Sequence, residues 1–393
     1  MGVRTGLDVW VAEGFRALRG KRVGAIVNPT SVDSRFRHLA DLLEEAEGVT
    51  LAALFGPEHG VRGEAQYMVA VEDDPRDART GVPVYSLYGH TFESLSPRPE
   101  WLHGLDALVF DIQDVGARYY TYVYTLALAM RAAARAGIPF YVLDRPNPIG
   151  GDLVEGNLVG EGFRSFVGLY ALPNRHGMTA GELARMFNDE ERMGAELHVV
   201  PCKGWSRKMR WRDTGLHFVP PSPNMPTPDT ALVYPGMCLG EGTNVSEGRG
   251  TCRPFEQFGA PWLRPDAVAE ALNAEKLPGV TFRACSFTPT FDKFRGVSCG
   301  GAFIHVTDER AFRPLLTGLA VFRCARMLGG PSFQWRADAY EFVEDVPAFD
   351  LLCGTDTVRA GLEAGAPLGA LVEGFDEQAR AFETRREPWL LYA

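Results

Sequence analysis

Between Asp106 and Thr125 the chain reads DALVFDIQDVGARYYTYVYT. An apolar run stops at Asp111, Gln113 and Asp114, and Arg118, Tyr119, Tyr120, Tyr122 and Tyr124 follow closely. Carboxylates of this kind can carry acid–base work, and an arginine beside them can pair with one or grip an anion. The same arrangement recurs along the chain. The run 49–60 ends in GPEHG, with Glu58 and His59, and the run 20–31 ends in Asn28 and Thr30. The run 138–148 ends in Asp144, Arg145 and Asn147, and the run 196–205 contains Cys202 and Lys203.

Short apolar runs ending in glycine- or proline-marked polar loops read as buried parallel strands. Helices are predicted between them over 36–47, 122–136 and 179–188. The last opens with Thr179 and has Glu182 three residues on, a capping-box pattern. Strands alternating with helices predict an α/β, Rossmann-like domain with a parallel sheet, and such sheets bind ligands beyond the carboxyl ends of their strands.

The chain has 393 residues, 46% of them hydrophobic, which favours two domains with real cores. A net charge of -10 argues against nonspecific nucleic-acid binding, and no apolar stretch has the length of a membrane span. The N-terminal residues lack a signal-peptide pattern, which predicts a cytoplasmic protein, or an exported one if a signal was removed. The seven cysteines form no C-x-x-C pair, so they read as reduced core thiols. Proline density over 219–236 argues against a continuous helix there and predicts an ordered crossing between domains. The domains are therefore set at 1–225, the Rossmann-like catalytic domain, and 226–393, a smaller α+β C-terminal domain completing a cleft. In the second, strands are expected over 279–287 and 300–308, and helices over 311–327 and 357–364.

Several segments together resemble one family. GPEHG (56–60), DIQDVGARYYTY (111–122), LDRPNP (143–148), RHGMTAGELA (175–184), PSPNMPT (221–227), EGTNVSEGRGT (241–251) and the closing LLY (390–392) are similar to the NamZ family. That resemblance implies an exo-β-N-acetylmuramidase, a glycosidase removing terminal β-1,4-linked N-acetylmuramic acid from peptidoglycan fragments. It also implies a Rossmann-like N-terminal domain carrying the active site. The substrate would be a small saccharide such as a MurNAc-GlcNAc disaccharide or a muropeptide fragment.

Glycoside hydrolysis needs a protonated acid at the leaving oxygen and usually a second carboxylate. Glu58 is the first candidate for the acid, with Glu64 as its local competitor. Asp111 and Asp114 are candidates for the second carboxylate, with Glu241 and Glu247 further choices from across the domain gap. The alternative for Glu58, Asp111 and Asp114 is a carboxylate that merely holds its loop, for Glu241 and Glu247 a glycine-rich hinge with solvated charges, and for Glu64 a supporting or surface group. Candidates for gripping the lactyl carboxylate are Arg118, Arg145 and Arg249. Asn147, Asn224 and Asn244 can read sugar hydroxyls or the acetamido group, and Tyr119, Tyr120 and Tyr122 can stack on sugar rings. His59 and His176 are further candidates for direct contact, and Glu247 is included among the substrate-binding residues.

No cofactor is expected. GVSCG (296–300) matches G-x-S-x-G, but a strand follows where a helix is required, so Ser298 is incidental. GEGTNV (240–245) lacks the third glycine of a dinucleotide fingerprint. A catalytic metal is not required, although Glu58, His59, Asp111 and Asp114 could assemble a site for one. The alternative to a glycosidase is a sugar- or muropeptide-binding protein without catalysis. Oligomeric state is left open.

Overall fold

A computed structural model describes residues 2–62 and 76–393; Glu64 lies outside them. The N-terminal half builds a parallel sheet from β1 (Arg22–Val27), β2 (Thr50–Gly56), β3 (Val84–Ser86), β4 (Ala107–Asp111), β5 (Phe140–Leu143) and β6 (Leu197–Val200). Their order is β3-β2-β1-β4-β5-β6, the doubly wound order with its switch point between β1 and β4. Five of the six follow from the apolar runs. β3 does not, because three residues between Pro83 and a turn carry too little pattern to read.

Alternation along each strand divides the core in two. Leu108 and Phe110 point to one face with Phe55 and Val142, where the helices Tyr122–Ala136 and Ala180–Glu190 pack. Ala107 and Val109 point to the other with Val23 and Leu54, covered by the helices Gly6–Glu13 and Leu39–Glu45. Thr179 caps its helix as its sequence predicts: its hydroxyl accepts from the Glu182 amide, and Glu182 accepts from the Thr179 amide at 3.0 Å.

The C-terminal half carries a small antiparallel sheet of β7 (Gln257–Ala260), β8 (Val280–Phe287) and β9 (Cys299–Val306), in the order β7-β9-β8. One hydrophobic core runs without a break from the first face of the parallel sheet through Met225 and Tyr234 to Phe258 and Ile304. The tail crosses back as well. Arg386 donates to the carbonyls of His176, Gly177 and Gly151, and the Tyr392 hydroxyl donates to Asp144 at 2.5 Å. Burial pushes Asp144 up to about 6, against the pull of its Tyr392 and Thr179 hydrogen bonds. Among the described residues no helix is long and apolar enough to cross a membrane.

The proline-rich crossing corrects one expectation. Pro228–Met237 is a helix, with Pro228 in its first turn and Pro235 inside it. The Thr227 hydroxyl caps it by accepting from the Thr230 amide at 3.2 Å, and a first-turn proline loses no intrahelical bond. Burial overrides the cost of Pro235, because eight of its residues are inside the core.

This helix crosses the helix Pro314–Gly329 through two glycines. A Cβ on Gly236 would stand 1.8 Å from the Pro314 carbonyl oxygen, and one on Gly318 would stand 2.3 Å from the Gly236 oxygen. Neither obstacle is a side chain that can swing away. Gly236→Ala is expected to destabilise the protein by about 3 kcal/mol, since backbone must move to admit the methyl group. Thermal unfolding checks this; an unchanged Tm would mean that the crossing is loosely packed.

Candidate active site

A cleft of about 500 Å³ opens where the two halves meet. Glu58, His59, Tyr119, Tyr120 and Tyr122 come from the parallel-sheet half, Ser222 and Asn224 from the crossing, and Glu241, Arg249, Tyr340 and Glu341 from the C-terminal half.

Glu58 stands immediately beyond β2. The Gly60 amide donates to the Pro57 carbonyl at 3.0 Å, closing a turn whose third residue, His59, has φ of 75°. That is a type II position, which usually selects glycine. The turn puts Glu58 and His59 side by side at the cleft wall, with 3.8 Å between Glu58 Oε1 and His59 Nε2.

Glu341 faces them from a second strained turn. Tyr340 and Val343 exchange backbone hydrogen bonds of 2.9 and 3.0 Å, so Glu341 and Phe342 form the centre of a two-residue hairpin. Both have left-handed φ, 46° and 70°. Such turns favour Asn-Gly, and each non-glycine residue there costs on the order of 1–3 kcal/mol. Phe342 offsets this by packing against Tyr88, Phe92 and Phe166, with centroids 6.2–6.5 Å away. The turn thereby drives Glu341 into the cleft. Burial, with the like charges of Glu58 and Glu241 nearby, pushes Glu341 well above the usual carboxylate range. The Tyr88 hydroxyl lies 3.3 Å from both Glu341 oxygens.

A third carboxylate, Glu241, is already engaged. Arg249 Nη2 donates to one of its oxygens and the Tyr340 hydroxyl to the other at 2.5 Å. Arg249 also donates through Nε to Glu247 at 3.0 Å, and Lys293 binds the far oxygen of Glu247 at 2.8 Å. These cations hold Glu247 below the usual carboxylate range in spite of its burial. The guanidinium of Arg249 lies over the Phe255 ring at 5.0 Å, so its orientation is fixed. Within the Tyr cluster, Tyr119 donates to the Pro235 carbonyl and Tyr122 to the Pro221 carbonyl at 2.8 Å. Burial pushes Tyr119, Tyr120 and Tyr122 upward, so they remain protonated. Asn224 Nδ2 is buried with no hydrogen-bond partner among the described residues.

Other sequence candidates lie elsewhere. Asp111 is fully buried, and its two oxygens accept from Arg145 at 2.6 and 2.9 Å. Asp114 accepts from the Gly116 amide at 2.8 Å and lies 3.4 Å from His176. Neither carboxylate lines the cleft. Arg118 is fully buried and donates to the carbonyls of Asn157, Leu172 and Leu352, tying the two halves together. Asn147 bridges the Met178 carbonyl and the Ile149 amide, and Asn244 does the same for Ser332 and Gln334. Glu247 stands behind Arg249. A loop residue at a strand end can also point inward, and these side chains are engaged within the protein: Asp111 and Glu247 by cations, Arg118 by carbonyls of both halves, Asn147 and Asn244 by nearby backbone. Glu341 and Tyr340 were not anticipated, because a Glu-Phe pair carries no turn signature. Asp111 and Asp114 are held apart from Glu58 and His59, and among the described residues no group of three or more His, Cys, Asp or Glu side chains is arranged to hold a metal.

Two sequence models, for the N-terminal and C-terminal parts of the exo-β-N-acetylmuramidase NamZ, match residues 23–229 and 232–392. The chain belongs to the NamZ family. It is 47% identical to the peptidoglycan β-N-acetylmuramidase NamZ of Bacillus subtilis strain 168 over 390 residues, covering 99% of this chain and 91% of that protein. Two crystal structures of DUF1343 family proteins from Bacteroides fragilis share the fold. One has a TM-score of 0.90 and 36% identity, the other 0.77 and 31%, and each comparison covers all of this chain and 99% of the other. In this NamZ-family chain the cleft combines residues from both matched regions, so neither region encloses the site by itself.

Proposed function

We propose that this protein is an exo-acting glycoside hydrolase that removes non-reducing terminal β-1,4-linked N-acetylmuramic acid from peptidoglycan fragments. Membership of the NamZ family supports the reaction class. The observation that carries it within the structure is the meeting of Glu58 and Glu341 in one cleft, with Glu341 favouring its protonated form. A glycosidase needs a carboxyl group that still holds its proton near neutral pH and a second that acts as nucleophile or base. The environment of Glu341 suits the acid and leaves Glu58, the first candidate for the acid from sequence, the second role. Asp111 and Asp114 then serve the loops beyond β4 and not the reaction. Arg249, oriented over Phe255, is the arginine that lines the cleft and would meet the lactyl carboxylate by sharing the charge it gives Glu241 and Glu247, and Asn224 Nδ2 offers a donor to the acetamido carbonyl.

The test is hydrolysis of a chromogenic β-N-acetylmuraminide beside the matching β-N-acetylglucosaminide, each with and without a chelator. Cleavage of the muraminide alone, unchanged by chelator, is the expected result. Saturable binding of the muraminide without cleavage would support a non-catalytic saccharide-binding protein instead.

A further inference from the structure

A second cavity, of about 670 Å³, lies at the switch point of the parallel sheet, beyond the carboxyl ends of β1 and β4. Thr30 follows β1, Gln113 follows β4, and both line it. The crossing segment separates it from the cleft: Val219 belongs to this cavity, whereas Ser222 and Asn224 belong to the cleft. Between them the Pro221 carbonyl is clamped by Asn28 Nδ2 at 3.3 Å and the Tyr122 hydroxyl at 2.8 Å. The described reaction uses none of the residues that line this second cavity.

Its lining has three features of a ligand site. Phe36 is 58% exposed at the mouth, and its ring packs on His217 with centroids 5.3 Å apart. Gln113 is 3% exposed, and its Oε1 has no hydrogen-bond partner among the described residues. Arg145 spends Nε and Nη2 on Asp111 and the Val32 carbonyl, which leaves Nη1 as its uncommitted nitrogen. The charges decide the ligand class. Arg145 is neutralised by Asp111, and Asp33 by Arg37 at 2.7 Å. Asp8 has no ion-pair partner among the described residues, and amide and hydroxyl donors from Ser34 and Thr5 hold it as a carboxylate. One surplus negative charge disfavours phosphates and other anions. An aromatic platform beside fixed carboxylate, amide and guanidinium groups matches a hydroxyl-rich ring with apolar C–H faces.

We propose that this cavity is a second saccharide site that takes a neutral pyranose and excludes acidic sugars. The probes are N-acetylglucosamine and N-acetylmuramic acid, titrated into the intact protein and followed by tryptophan fluorescence and protein NMR. The neutral sugar is expected to bind saturably, with affinity unchanged in Glu58→Gln and weakened roughly tenfold in Phe36→Ala and in His217→Ala, both exposed positions whose truncation leaves the core intact. Absence of saturable binding, affinity unchanged in both aromatic variants, or equal sensitivity of muramic acid binding to them would overturn the proposal. Muraminide hydrolysis by the wild-type protein is read separately. Its absence would count against the glycosidase reading and leave this site unaffected.

Discussion

Replacing Glu58 by glutamine is expected to abolish most muraminide turnover while leaving Tm unchanged. The side chain lines the cleft at the end of β2 and is held by a turn whose shape depends on backbone, so the amide occupies the same place. What disappears is the negative charge that stabilises or attacks the developing oxocarbenium ion. Losing one reacting carboxylate of such a pair costs on the order of 100- to 10,000-fold in rate. Steady-state kinetics on the chromogenic muraminide measures it, and activity within a few-fold of wild type would remove Glu58 from the reaction. The loss should persist with activated leaving groups, because they do not replace the second carboxylate.

Glu341→Gln should produce a loss of similar size on natural saccharides, with a different signature. Glutamine mimics the protonated carboxyl in shape but has no proton to give. With an aryl leaving group of low basicity, departure needs no protonation, so most of the lost rate should return. The pH profile supplies an independent check. Burial and the charges of Glu58 and Glu241 raise the pKa of Glu341, so the acid is competent at low pH and is lost as pH rises through that raised value. The alkaline limb of kcat/KM is therefore assigned to Glu341 and should vanish in the variant. A normal alkaline limb in Glu341→Gln would mean that another group supplies the proton. Stability should not suffer, since a neutral amide replaces a carboxyl that is costly to ionise where it stands.

The two variants separate what is written locally in the chain from what is not. Glu58 is legible because it ends an apolar strand inside a Gly-Pro-Glu-His-Gly turn, and both the strand period and the turn chemistry are local. The capping box at Thr179 and the helix Tyr122–Ala136 are legible for the same reason. So is the alternation of strands and helices that yields the α/β half, and the segments that resemble the NamZ family are runs of sequence by nature. The helix Pro228–Met237 marks where local reasoning ends, since its proline penalty is outweighed by burial against a helix starting 86 residues beyond Pro228, at Pro314.

Only the tertiary structure could decide which carboxylates meet. Asp111 and Asp114 sit in the most conspicuous polar stretch of the chain, yet one is matched by Arg145 and the other turns to its own loop and His176. Glu341 lies 283 positions after Glu58, in a Glu-Phe pair without turn residues, and enters the cleft because Phe342 packs on rings brought in by the N-terminal half. The raised pKa of Glu341 depends on burial and on two carboxylates remote in sequence. By itself the sequence determined all but β3 and β7 of the strands, the Thr179 cap, the Glu58 turn and the family, because these depend on neighbours along the chain. The composition of the site, and the division of labour between its acids, depend on distances and desolvation across the chain, and those exist only once the two halves share a core.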